Sequence, residues 1–309
     1  AWIGQFAWSE WLEPLGPYGI SSAPFFENII ELADMHNDRL IGLPMFIDAG
    51  LLYYRTDLLE KYGYDSPPST WPELADMAVK IQAGERKHKP YFWGFVWQGA
   101  QYEGLVCNAL EYFKSSGGGF FDTEGTPIVH IPENARALEF MTDLIHTYKI
   151  SPPNTFTDMK EEETRLPFQN GNALFERNWP YAMGLHDADD SPVKGKYAIT
   201  VLPHFEGHES AATLGGWHVG MSGFSDRKED AAEFVKFLTS FDIQRRMTIE
   251  LAHNPGRIDV YEDETVQSMP VGRLKDMFFT AIPRPTVPYY SQVSRVLQKH
   301  INAAIARKA

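Results

Sequence analysis

Residues 40–54, LIGLPMFIDAGLLYY, form an apolar run broken by Pro44 and Asp48, and RTDLLEKYGY follows; together they predict a strand leading into a short helix. An acid in the middle of such a strand is unusual. In PPSTWPELADMAVKIQAGE, Thr70 is placed to cap a helix, Pro72 sits in its first turn and Glu73 completes a capping box. Leu74, Met77, Ala78 and Ile81 then share one apolar face at helical spacing. YFWGFVW (91–97) predicts a short aromatic strand, and QYEGLVCNALEYFKSSGGG a buried helix ended by Gly117. Residues 134–148 predict an amphipathic helix burying Ala137, Phe140, Met141, Leu144 and Ile145. Further strands are expected at 173–175, 197–202 and 218–221, one long helix over 227–249, and a last helix over 291–306 after the rigid segment Arg284-Pro285-Thr286-Val287-Pro288. The alternation argues for α/β lobes with sheets flanked by helices.

At 309 residues the chain exceeds the roughly 250–300 that one core organises, so two lobes are expected. No repeat or flexible linker separates them, which points to several crossings of the chain. A formal net charge of -13 argues against nucleic acid as a partner. With 8 Trp, 14 Tyr and 20 Phe, rings are in surplus for a core of this size and available to stack on the C–H faces of a sugar. Cys107 is the single cysteine, so no disulfide forms within the chain. There is no apolar run of about 18 residues, and the first residues lack the order of regions of a signal peptide.

No GxSxG elbow, P-loop or post-strand GxGxxG is present. His204 and His208 flank a loop rather than a helical turn, so no metal site is expected. A glycoside hydrolase would need two opposed carboxylates; Asp48 and Glu103 are the acids most embedded in apolar sequence, and nothing local pairs them. Two places offer rings for stacking. Asn178-Trp179-Pro180-Tyr181 follows the strand at 173–175 and is kept extended by Pro180, which aims both rings the same way; ordinary core packing is the competing reading. In Gly215-Gly216-Trp217, paired glycines allow close backbone approach beside an indole.

LPMFIDAGLLYYRTDLLEKYGY, PPSTWPEL, GFVWQGAQYEGLVCNALEYF, LFERNWPYAM, VLPHFEG, LGGWHVGMSG and VPYYSQVS, in this order, resemble the solute-binding proteins of bacterial and archaeal ABC sugar importers, in particular the trehalose/maltose-binding branch. The resemblance implies a two-lobe, periplasmic-binding-protein-like α/β fold of the maltose-binding type, with discontinuous lobes joined by three crossings and closing on the ligand. One lobe would combine residues 1–47 with 215–266, the other 48–214 with 267–309. By position in the motifs, Asp48 looks like an acid accepting from sugar hydroxyls, Trp179 and Tyr181 like stacking rings, Gly215, Gly216 and Trp217 like a crossing with backbone contacts and a further ring, and Arg284 like a bidentate donor. Phe46 stands where relatives often carry Tyr, which removes one hydroxyl contact.

Relatives carry about two strand–helix units before the counterpart of AWIGQFAWSEWLEPL, so the first lobe is expected to be incomplete in this chain, with a complementing amino-terminal fragment as a possible partner. The remaining expectations are a small sugar as ligand, ABC transporter membrane subunits as partners, a monomer when full length, an extracytoplasmic location, no cofactor, no metal and no catalysis. The alternatives are a glycoside hydrolase acting on α-glucosides and a binder of a non-sugar solute such as a glycerophosphodiester.

Overall fold

The computed structural model describes residues 2–308, in two compact units. Unit 1 comprises Ala1–Ala49 and Leu214–Val293; unit 2 comprises Gly50–Thr213 and Ser294–Ala309. The chain therefore crosses between units at 49/50, 213/214 and 293/294. The first two crossings lie within two residues of the expected boundaries, but Asp48 falls in unit 1, because its strand stays paired with Leu214–Val219 through its last residue, Ala49. The third differs by a whole segment: residues 267–293 belong to unit 1. Phe278 packs against Phe26 at 6.0 Å between ring centroids, its carbonyl accepts from the Asn28 side chain at 2.8 Å, and the Leu214 N–H donates to the Ile282 carbonyl at 2.8 Å.

In unit 1 the strand Leu43–Ala49 runs antiparallel to Leu214–Val219, and Leu12–Glu13 pairs with Met221–Ser222. A hairpin joins Met35–His36 to Arg39–Leu40; Asn37 and Asp38 take φ of 48° and 57°, as a tight two-residue turn requires. Leu15, Ile20, Phe25, Ile30, Leu43, Met221, Ala232 and Val235 form its core. The expected long helix over 227–249 is instead two helices, Lys228–Leu238 and Phe241–Leu251. Ser240 turns extended between them, and its side chain accepts from the Ile243 N–H, so a cap replaces helix continuity.

Unit 2 is built on a four-stranded sheet in the order Trp93–Val96, Ala173–Asn178, Leu51–Arg55, Tyr197–Thr200. The first pair is parallel and the others antiparallel. The run 40–54, expected as one strand, is two strands in different units, parted at Gly50. Trp71, Trp97, Tyr112, Phe92, Phe95 and Phe168 are fully buried in this unit, and Trp71 stacks on Tyr112 at 4.1 Å.

The capping box forms as expected on the helix Trp71–Glu85: Thr70 accepts from the Glu73 N–H, and Glu73 accepts from the N–H groups of Ser69 and Thr70. Those backbone bonds, Ser69 first, hold the Glu73 carboxyl below its ordinary value of 4.5. Because the folded-state value is depressed, this stabilisation is present above the ordinary value and is lost as pH falls through the folded one. Thr70→Ala is expected to cost about 1 kcal/mol. The melting-point gap between the parent and Glu73→Gln should be open at neutral pH and close as pH falls below the ordinary carboxyl value.

Candidate functional site

Five of the residues expected to bind ligand, Phe46, Asp48, Gly215, Gly216 and Trp217, meet on one strand pair of unit 1. The register sets Phe46 opposite Trp217 and Asp48 opposite Gly215. Opposed residues in an antiparallel pair share a face, so Phe46, Trp217 and Asp48 lie on one side, and the residue directly opposite Asp48 is Gly215. The alternation agrees: Ile47 and Ala49 are fully buried, whereas Phe46 and Asp48 are half-buried. Trp217 is 62% exposed, a large apolar area to leave in water on a regular strand. The Phe46 ring stacks on His253, centroids 4.1 Å apart and planes 6° apart, and burial lowers the His253 pKa.

Gly216 is required by geometry. Its φ is +102°, and a Cβ there would run into the Phe46 carbonyl oxygen and lie 2.7 Å from the Ile47 Cα. Arg284 lies in the same unit, its Nη2 donating to the Leu214 carbonyl at 3.4 Å. With Gly215, Gly216, His218, Pro283 and Thr286 it lines a cavity of about 60 Å³. His218 is bonded through Nδ1 to both carboxylate oxygens of the fully buried Asp34, at 2.8 Å each, which fixes its ring.

Trp179 and Tyr181 belong to unit 2. They do not sit on an extended segment: Pro180 and Tyr181 turn at the end of the strand Ala173–Asn178 and lead into the helix Ala182–His186, with Tyr181 already helical at φ -55°, ψ -28°. The correction has a local cause, since Asn178 caps the turn by accepting from the Trp179 N–H at 2.8 Å. The Trp179 indole N–H reaches Glu161 at 3.4 Å, and the guanidinium carbon of Arg177 lies 4.0 Å from the ring centroid. The Tyr181 hydroxyl donates to Glu162 at 2.7 Å; burial and that carboxylate push its pKa up.

The family profile described as bacterial extracellular solute-binding protein matches residues 1–244. The chain belongs to this family. A probable ABC transporter-binding protein of Deinococcus radiodurans is 43% identical over 277 residues, 88% of this chain and 65% of that protein. The chain thus spans just under two thirds of that relative's length. Among solved structures, maltose-bound T. maritima MalE3 superposes with a TM-score of 0.91 at 43% identity, covering 100% of this chain and 78% of that one. A Thermotoga lettingae solute-binding protein bound to α-D-tagatose gives 0.89 at 27% identity, with 100% and 78% covered. The fold is that of the two-lobe, maltose-binding type of α/β solute-binding protein.

In this solute-binding protein several polar groups around the expected site residues escaped the sequence reading. Glu161 and Glu162 open the helix Glu161–Gln169 and read from sequence as ordinary first-turn acids. Glu111 and Arg177 are both about 1% exposed at the side chain and form an ion pair. The signal existed: LEYF and LFERNW each place a charge among apolar residues. Glu103, singled out with Asp48 as a candidate acid, is hydrogen-bonded by Ser294. Among the described residues no group of three or more His, Cys, Asp or Glu side chains is placed to hold a metal ion, and no helix is long and apolar enough to cross a membrane.

Proposed function

We propose that this chain captures a small sugar, an α-linked glucose disaccharide such as trehalose or maltose, and delivers it to an ABC importer without chemical change. The observation that carries the reading is the exposed Trp217 indole on the same strand face as the Asp48 carboxylate: a ring for the apolar face of a pyranose beside an acceptor for its hydroxyls. Arg284 supplies donors from the same unit, and Trp179 and Tyr181 are rings suited to stacking on a sugar. The sugars held by T. maritima MalE3 and by the Thermotoga lettingae protein, maltose and α-D-tagatose, support the ligand class. Phe46 in place of a hydroxylated ring favours a ligand that asks for one bond fewer at that point.

The same reading gives the protein an extracytoplasmic location, the importer's membrane subunits as partners and a monomeric state when full length.

A thermal-shift screen over mono- and disaccharides tests the ligand class, since a ligand at 100 times its Kd adds about 2.7 kcal/mol to stability. By calorimetry, Trp179→Ala is expected to weaken binding of the best sugar by about 1–3 kcal/mol through lost stacking and burial. Unchanged affinity would remove Trp179 from the site. Release of monosaccharide during incubation with α-linked disaccharides would overturn non-catalytic capture.

A further inference from the structure

One buried ion pair in unit 2 touches two chain crossings and an expected ligand ring. The Arg177 guanidinium donates from Nε to Glu111 Oε2 at 2.9 Å and from Nη2 to Glu111 Oε1, and Nη1 reaches Gln98 at 3.3 Å. Glu111 Oε1 also accepts the Thr213 N–H at 3.1 Å, and the Thr213 hydroxyl donates to the Cys107 carbonyl one turn earlier on the Glu111 helix. Gly50 packs against the same pair: a methyl there would strike the Glu111 carboxylate and lie 2.6 Å from Arg177 Nη2. Gly50 and Thr213 are the residues of unit 2 at the crossings 49/50 and 213/214. The guanidinium also packs against the Trp179 ring at 4.0 Å.

A bidentate guanidinium–carboxylate pair in a dry interior is directional and stiff, so its neighbours are held in fixed relation to one another. We infer that Arg177 and Glu111 are positioning residues that couple the Trp179 ring to the backbone at Gly50 and Thr213, so that a ligand settling on the ring biases two of the three chain crossings. The ligand's identity, but not the coupling, rests on the sugar-binding reading above. Coupling between sites is reciprocal, and this sets the test.

Gly50→Ala is the first variant. In ¹⁵N-labelled full chain without ligand it should move the Trp179 indole N–H resonance; residue 50 reaches that ring through the ion pair and, along the backbone, through the pairing of Leu51 with Asn178, so the Asn178 amide serves as the control for the backbone route. In the other direction, Trp179→Leu should speed amide exchange at Thr213 about tenfold. A pair that merely stabilises the fold would move neither readout. Should Gly50→Ala fail to fold, Glu111→Gln, which keeps the shape and an acceptor for Thr213, gives the same indole readout. A folded variant whose Trp179 resonance coincides with the parent's, together with unchanged Thr213 exchange in Trp179→Leu, overturns the coupling whether or not sugar binds. Both shifts in a parent that binds no saccharide uphold the coupling and remove the sugar reading instead. Where the parent does bind, Gly50→Ala should also lower affinity about tenfold.

Discussion

Glu111→Ala should destabilise unit 2 by about 3–5 kcal/mol, since it strands the buried Arg177 guanidinium without its counter-charge. Burial is the largest influence on both groups: it pushes the Glu111 carboxyl up, while the Glu111 charge raises Arg177, whose burial alone would lower it. The loss is therefore chiefly the cost of an unpaired buried charge. A control separates that cost from lost packing: Glu111→Leu with Arg177→Met removes both charges at similar volume and should lose less than Glu111→Ala, the remaining loss being that of the Thr213 N–H left without its acceptor. Urea denaturation followed through the buried Trp71 and Trp97 of unit 2 measures both. A Glu111→Ala protein within about 1 kcal/mol of the parent would mean that water reaches the pair.

Gly216→Ala is the second large effect expected, and it falls on unit 1. A side chain at φ +102° costs about 1–3 kcal/mol in backbone strain. The overlap with the Phe46 carbonyl and the Ile47 Cα cannot be relieved by turning a side chain, because both obstacles are backbone, and displacing them adds about 1–3 kcal/mol. Gly63 isolates the two contributions: its φ is +78°, but the space around it is open, so Gly63→Ala carries the backbone part alone. Denaturation of both variants gives the difference. Sugar affinity should fall in Gly216→Ala and not in Gly63→Ala, since only the former shifts the strand that carries Asp48. Equal stability losses in the two would show that the strand pair yields to the added methyl.

Much of the local structure was legible because it depends on neighbours in the chain. The capping box at Thr70 and Glu73 formed as read, and so did helices over most of 103–114 and 132–146, where the apolar spacing was enough without a side-chain cap. The split of 227–249 was missed because Thr239-Ser240 sits inside a pattern that stays amphipathic on both sides, and only the Ser240 cap, which competes with helix continuation, breaks it. The turn at Pro180-Tyr181 was missed for a similar reason: proline fixes its own φ but leaves ψ open, and the Asn178 side chain closes the turn.

Order along the chain was enough for the sequence to determine the α/β class, the family resemblance and the choice of Asp48, Gly216 and Trp217 as unusual residues, because periodicity, caps and motif order are properties of contiguous stretches. Only the tertiary structure decided which of them meet. The register that sets Asp48 opposite Gly215, the ion pair between residues 111 and 177, and the return of 267–293 to unit 1 all join segments tens to hundreds of residues apart. Such pairings are chosen by which apolar faces and buried charges satisfy one another across space, and no local window of sequence contains both partners.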